Sequence, residues 1–271
     1  PGKCIYLAAL IDYLGFSGIN GPNTLAFAAE LYQRGILTKD DIGFELKWGD
    51  VEAFEALARK IVRREGIGNI LAEGTYRAAL KISQMKGLDV TKYAVHVKGM
   101  EIGAHGTRSG QDFRPIGYAC SPQCGDHTSG VHDAYEDMRM VFLDSAVVCS
   151  FVDGDLLWDF YRAVTGWDTT EEQWNRVLGH RIIHIQRAAL LLGGPDLIWD
   201  PAVHDDNPPR YYEPLPSGPY KDKTTDKKAV EEMKKQYYEA IGWDERGIPK
   251  SEVLKKLGLD DVDKVLDRLR K

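Results

Sequence analysis

Residues 96–131 constrain this chain most, because they interrupt an otherwise helical pattern with a stretch that has no period at all. Glycines recur there at 99, 103, 106, 110, 117, 125 and 130, beside histidines at 96, 105 and 127 and cysteines at 120 and 124. A long structureless segment inside a compact domain is usually functional or disordered. This one is too apolar and too rich in His, Cys and Tyr for simple disorder. Glycine lets a main chain turn and approach closely, so the segment reads as backbone laid against a ligand. The helical flanks set the class as mainly all-α. They predict two packed helical subdomains, 1–130 and 131–271, around this irregular centre.

The helices follow from apolar spacing and stop signals. Residues 4–14 read as a buried helix ended by Gly15. Asn23 is placed as the cap of a second helix running to Arg34, and Asp50 as the cap of a third over 51–64. A fourth covers about 75–85, and residues 42–48 read as a short extended piece. Further on, 155–165 is helical, and Thr169 with Glu172 reads as a capping box. The helix it opens carries Trp174, Leu178, Ile182, Ile185, Ala189 and Leu192 on one face. Most of the prolines fall in 195–222, a stiff extended segment. Asp226 caps a helix to about Ile241, and short helices near 251–257 and 262–270 close the chain.

Within this frame one run stands out, Phe142-Leu143-Asp144-Ser145-Ala146-Val147-Val148-Cys149. A carboxylate buried there without a donor would cost several kcal/mol, and a thiolate is a soft ligand for iron–sulfur, zinc or copper. An echo lies near the start, Leu10-Ile11-Asp12-Tyr13-Leu14-Gly15-Phe16-Ser17. Asp12 falls in the last turn of its helix, where the macrodipole disfavours a negative charge. We therefore expect the chain to be a frame that brings two aspartates and one cysteine to a shared site.

The formal net charge of −6 argues against a general nucleic-acid binder. No run reaches the roughly 18 apolar residues of a membrane span, and no signal peptide is recognisable. Four cysteines in 271 residues are not a secreted disulfide framework, so reduced cytoplasmic thiols are expected. The chain starts at full hydrophobicity, which suggests a fragment whose first helix is covered by a preceding part.

Other motifs are weaker. Cys120 and Cys124, with Asp126, His127 and Cys149, either hold zinc or are small buried packers. The missing second close pair favours packing. His180 and His184 have the spacing of a two-histidine metal face, but Arg181 stands where a metalloprotease has glutamate. Gly103-Ala104-His105-Gly106 lacks the βαβ context of a dinucleotide site.

Taken together, the motifs resemble the aldehyde ferredoxin oxidoreductases, tungsten–pterin enzymes. Asp12-Tyr13-Leu14-Gly15-Phe16-Ser17 is similar to that family's D-x-x-G-L-D pterin motif. Val95–Ile102 resembles its V-K-G-x-E stretch, and Gly117–His127 resembles G-Y-A-T-S-x-R-G-x-D-H. The tail fits as well, through Glu213–Pro219, Tyr237-Tyr238 and Gly242-Trp243-Asp244-Glu245-x-Gly247-Ile248-Pro249. The resemblance implies a tungsten (or molybdenum) bis-pterin beside a [4Fe–4S] cluster, with a small aldehyde as substrate and ferredoxin as electron acceptor. It makes Asp12, with Gly15 and Phe16, and Asp144, with Val148, the cofactor-binding positions. It makes Cys149 a cluster ligand, and His127, with His105 second, the catalytic proton donor to a substrate oxygen.

The chain also departs from the pattern. The other three cluster cysteines and the base-plate domain belong upstream of Asp12, so both cofactors are expected to be absent from this stretch alone and the stretch inactive. A homodimer is compatible, and so is an aromatic acyl-CoA reductase chemistry within the same family. Two rival readings remain outside it: a helical scaffold that has lost its metal chemistry, and a zinc domain built on Cys120, Cys124 and His127. If the shared-site reading holds, the apolar face of 4–14 should be more exposed than a core helix.

Overall fold

The computed structural model describes residues 1–103, 116–126, 134–149, 151, 156–193 and 199–271, the side chains of 134–137 excepted. His105 and His127, the two expected catalytic histidines, lie outside the described residues. Helices dominate, as the sequence predicts. In order they are α1 Gly2–Tyr13, α2 Asn20–Gln33, α3 Lys39–Ile42, α4 Val51–Arg63, α5 Ile67–Leu71 and α6 Thr75–Lys86. After α6 come β1 His96–Val97 and β2 Met100–Glu101, then α7 Ile116–Ala119, α8 Ala134–Ser145, α9 Leu157–Thr165 and α10 Glu171–Trp174. The last are α11 His180–Leu192, α12 Pro201–His204, α13 Lys227–Ile241, α14 Ser251–Lys256 and α15 Asp260–Arg270. The chain divides into two compact units: 1–112 with 207–225, and 113–206 with 226–271. None of the described helices is long and apolar enough to cross a membrane.

The first unit packs α2, α4, α5 and α6 around Leu25, Phe27, Leu31, Leu57, Ile61, Leu71 and Ile82, all buried. Asp50 caps α4 by accepting from the Ala53 amide at 3.1 Å, as expected. Asn23 does not cap α2. It lies inside that helix and donates through Nδ2 to the carbonyls of Ile19 and Ile102, at 2.9 and 2.8 Å. The expected extended piece at 42–48 forms no strand; α3, whose capping box pairs Thr38 with Asp41, ends at Ile42 where that piece was to begin.

The strands form a two-residue antiparallel hairpin pairing His96 with Glu101 and Val97 with Met100. Glu101 is 2 % exposed and accepts from the Thr75 amide at 2.5 Å. A carboxylate suits a helix N-terminus, where unpaired amides and the macrodipole favour negative charge. The glutamate of the Val97-Lys98-Gly99-Met100-Glu101 stretch thus joins the hairpin to α6. The proline-bearing strap 207–225 is fastened to the same unit, where Arg210 Nη2 donates to both oxygens of Glu30 at 2.6 and 2.7 Å.

The second unit is organised around Arg187, on α11 and 1 % exposed. Its guanidinium meets Asp205 in two parallel bonds, Nη1–Oδ1 3.0 Å and Nη2–Oδ2 2.6 Å. Its Nε donates to the Gly247 carbonyl at 2.9 Å, and the Tyr238 hydroxyl donates to Asp205 Oδ2 at 2.5 Å. The cation also lies 4.3 Å from the centre of the Trp243 ring. Burial alone would lower the arginine's pKa, but the Asp205 carboxylate more than reverses this and holds it raised. The tail motif Gly242–Pro249 is therefore the wall of a cation's cage. His184, one turn before Arg187, is buried, and burial pushes its pKa down to about 4. Its Nδ1 lies 2.7 Å from the His180 carbonyl oxygen, so the ring is neutral and Nδ1 carries its proton.

The capping box before the long helix pairs Thr170 with Gln173, at 3.2 and 3.0 Å, one residue later than Thr169 and Glu172. Between α10 and α11 the chain makes a π-helical turn, Asn175–Gly179.

Gly247 has φ +73, and a Cβ there would stand 2.5 Å from Arg187 Nη2 and 2.8 Å from Tyr238 Cζ. Gly247→Ala therefore combines left-handed strain with overpacking, and it is expected to cost about 2–4 kcal/mol in chemical denaturation of the second unit. A loss near zero would show that the cage does not hold this turn.

Candidate functional site

Both focal aspartates sit at a helix C-terminus, and in the same place on it. At the end of α1 the Phe16 amide donates to the Ile11 carbonyl at 3.1 Å, and the Gly15 amide donates to that of Asp12 at 3.0 Å. At the end of α8 the Val148 amide donates to the Leu143 carbonyl at 2.9 Å, and the Val147 amide to that of Asp144 at 3.1 Å. This paired pattern is a Schellman motif. In both units the aspartate is the second-last helical residue, and the residue three positions on takes the left-handed conformation. Serine and cysteine then fall in register, Ser17 and Cys149, each five residues beyond its aspartate. The sequence echo is thus one backbone device used twice.

Both carboxylates are exposed, so burial does not explain why a charge is tolerated where the macrodipole repels it. Their surroundings differ. No described residue donates a hydrogen bond to the Asp12 carboxylate. Asp144 Oδ2, by contrast, accepts from Gln123 Nε2 at 2.5 Å. Ser17 has turned toward the next helix, its Oγ accepting from the amides of Ile19 and Asn20, both at 3.3 Å. Cys149 is an exposed free thiol.

The left-handed residue is the second difference. Gly15, at φ +79, takes that conformation without a Cβ penalty. Its counterpart, Val147, is at φ +57 and 90 % exposed. A β-branched residue is a genuine outlier there. Cys124, next to Gln123, is also left-handed, at φ +65. Two of the five non-glycine residues at positive φ among the described ones therefore flank the Gln123–Asp144 pair. Backbone strain of this sort costs about 1–3 kcal/mol per residue and clusters at functional sites.

Behind the Asp144 turn lies a cavity of about 350 Å³, walled by Phe142, Val148, Phe160, Tyr161, Val164 and Trp174. One of these walls, Phe142, stacks on Trp158 with ring centres 3.9 Å apart and nearly parallel planes.

The expected buried helix 4–14 differs. Only Leu10 and Ile11 of α1 are buried, while Ile5 is 69 % exposed. Residues Asp12, Gly15 and Phe16 share one helix end in the first unit, and Asp144, Val148 and Cys149 share another in the second. Cys120 is fully buried and Cys124 half-buried, the latter with Sγ 3.6 Å from the Pro122 carbonyl oxygen. Among the described residues no three His, Cys, Asp or Glu side chains are grouped to hold a metal ion. The donor set nonetheless suits the groups expected. Exposed carboxylates match the ring N–H donors of a pterin, and an exposed thiol matches one corner of a cluster that needs four such ligands. Gln123 was not foreseen, since an amide inside a Pro-Gln-Cys-Gly turn carries no period or spacing signal.

Val147→Gly is expected to slow hydrogen exchange at the end of α8 and to stabilise it by about 0.5–1 kcal/mol, because relief of left-handed strain exceeds glycine's added unfolded freedom. Gly15→Val should destabilise α1 by about 1–2 kcal/mol. The same sign at both sites would contradict the shared geometry.

Comparison with known proteins places this geometry in context. Residues 1–259 match the family model described as aldehyde ferredoxin oxidoreductase, domains 2 and 3. The chain is 56 % identical, over its full length, to 45 % of a Pyrococcus furiosus protein named aliphatic sulfonate oxidoreductase, WOR-like subunit. It is 34 % identical to a tungsten-containing aldehyde ferredoxin oxidoreductase of Pyrococcus abyssi, over 92 % of this chain and 44 % of that one. The chain thus spans less than half the length of these relatives. Its fold also matches the active-site complex BamBC of benzoyl coenzyme A reductase with 1,5-dienoyl-CoA. That match has a TM-score of 0.70 at 22 % identity and covers 94 % of this chain and 46 % of the other.

Proposed function

The chain belongs to the aldehyde ferredoxin oxidoreductase family, and we propose that it forms the pterin-anchoring part of a tungsten (or molybdenum) oxidoreductase that converts small aldehydes to carboxylic acids. The observation that carries this reading is the pair of matched helix ends, each holding an exposed aspartate at the same position of the same cap. When bound, a tungsten bis-pterin supplies two-electron oxidation, with a [4Fe–4S] cluster passing the electrons on singly to ferredoxin.

The chain's own residues act by binding and orienting. Asp12 and Asp144 accept hydrogen bonds from pterin ring N–H groups, and the charge on each acceptor strengthens and shortens those bonds. The Gly15-Phe16 and Val147-Val148 turns fix the backbone from which each carboxylate projects, since their amides are committed to the cap. Cys149, five residues from Asp144, would supply one thiolate to a [4Fe–4S] cluster, which would serve electron transfer. The remaining thiolates come from elsewhere in the whole protein. His127 is assigned the proton at the substrate oxygen, with His105 as its second. The 56 % identity to a protein named for aliphatic sulfonates supports a second reading of the substrate, in which the same anchors serve sulfonate chemistry.

The test is anaerobic production of the full-length protein with tungstate, followed by viologen-dye reduction with short aldehydes and with aliphatic sulfonates. Dye reduction by an aldehyde, lost in Asp12→Ala and in Asp144→Ala, is expected. Reduction by sulfonates alone would favour the second reading. A folded full-length protein with neither tungsten nor pterin would refute both.

A further inference from the structure

We propose that Gln123 is the positioning residue of Asp144: its amide clamps one carboxylate oxygen and leaves the other as the acceptor that meets the cofactor. This rests on the reading of Asp144 as a pterin anchor and makes the two anchors unequal.

Geometry comes first. Gln123 Nε2 donates to Asp144 Oδ2 at 2.5 Å, and Oδ1 accepts from no described residue. An exposed aspartate otherwise samples several rotamers, and a single donor selects one. The donor here is neutral. An arginine or lysine would pair with the charge, whereas an amide fixes the direction of the carboxylate and leaves its charge for the ligand.

Neither partner is free to drift. The Gln123 amide donates to Ser121 Oγ at 3.1 Å, and the Cys124 amide donates to the Ser121 carbonyl at 3.2 Å. This turn carries Cys124 into the left-handed region, just as the α8 cap carries Val147. Both arms of the clamp are thus set by backbone that side-chain preference opposes.

In open water such a bond adds little to stability, because both groups exchange it for water. Covered by a bound ring system, the same bond lies in a lower dielectric and strengthens. The clamp therefore acts in the loaded protein. Asp12 has no such clamp among the described residues, so the pterin at Asp144 is held in a fixed orientation while the pterin at Asp12 is held more loosely.

The experiment uses full-length protein produced anaerobically with tungstate. Pterin loss on dialysis is followed by the fluorescence of its oxidised form, and the tungsten potential by redox-titrated EPR. Gln123→Leu, which removes the donor, should release pterin about tenfold faster, the effect of one hydrogen bond to a charged group. Gln123→Glu, equal in size but repulsive, should be worse than Leu. Gln123→Arg restores a donor but pairs with the carboxylate charge, so it should retain pterin better than Leu and less well than wild type, while moving the potential positive because its charge favours the reduced centre. All three should melt within a few degrees of wild type. Equal retention across the series, with Asp144→Ala losing pterin, would overturn the clamp and leave the anchor standing. Full retention in Asp144→Ala would overturn both.

Discussion

The C-terminal cap of a helix is the constraint on which this molecule's functional reading depends. A helix ends by committing its last free carbonyls to amides beyond it, and that commitment fixes the direction in which the final turn points its side chains. Here the same pair of bonds closes α1 and α8. Each cap holds out an aspartate at a place where the helix's own dipole works against it. Stability would favour a lysine or an arginine there. Two unfavourable charges in equivalent positions are what the proposed role as pterin anchors requires.

The stabilising interactions lie elsewhere. In the second unit a fully buried arginine is matched by a two-pronged carboxylate, a carbonyl, a tyrosine hydroxyl and an indole face. Breaking such a pair by removing one partner is costly, because it leaves a charge buried alone. Placing that cage on α11, α13 and the 242–249 turn leaves the α8 end free to carry strain at Val147. In the first unit the buried Glu101 has a comparable role at the start of α6. The parts of the sequence most like the family pattern thus divide into two kinds. The Gly242–Pro249 and Val97–Glu101 stretches hold the fold, and the two aspartate runs face outward.

Much of this was legible in the sequence. Helical period and stop glycines located the helices, Asp50 and Asp226 capped as expected, and the Asp12 and Asp144 runs already looked alike. What escaped was non-local. Asn23 reached the Ile102 carbonyl, seventy-nine residues away, which no local rule foresees. Thr170 displaced Thr169 as the cap because it, not its neighbour, is placed to bond Gln173. The exposure of α1 conflicts with its apolar composition, so the reading of a buried helix failed while the expectation of an uncovered face agreed with the structure. Gln123 and Arg187 had no periodicity to betray them, because their partners come from distant turns.

The central claim, proposed above, is that Asp12 and Asp144 each anchor a pterin. Its most direct test is the pterin content of full-length protein produced anaerobically with tungstate, read by the fluorescence of the oxidised pterin. The expected result is pterin bound in the wild type and lost in each of Asp12→Ala and Asp144→Ala. Full retention of pterin in both variants would contradict it.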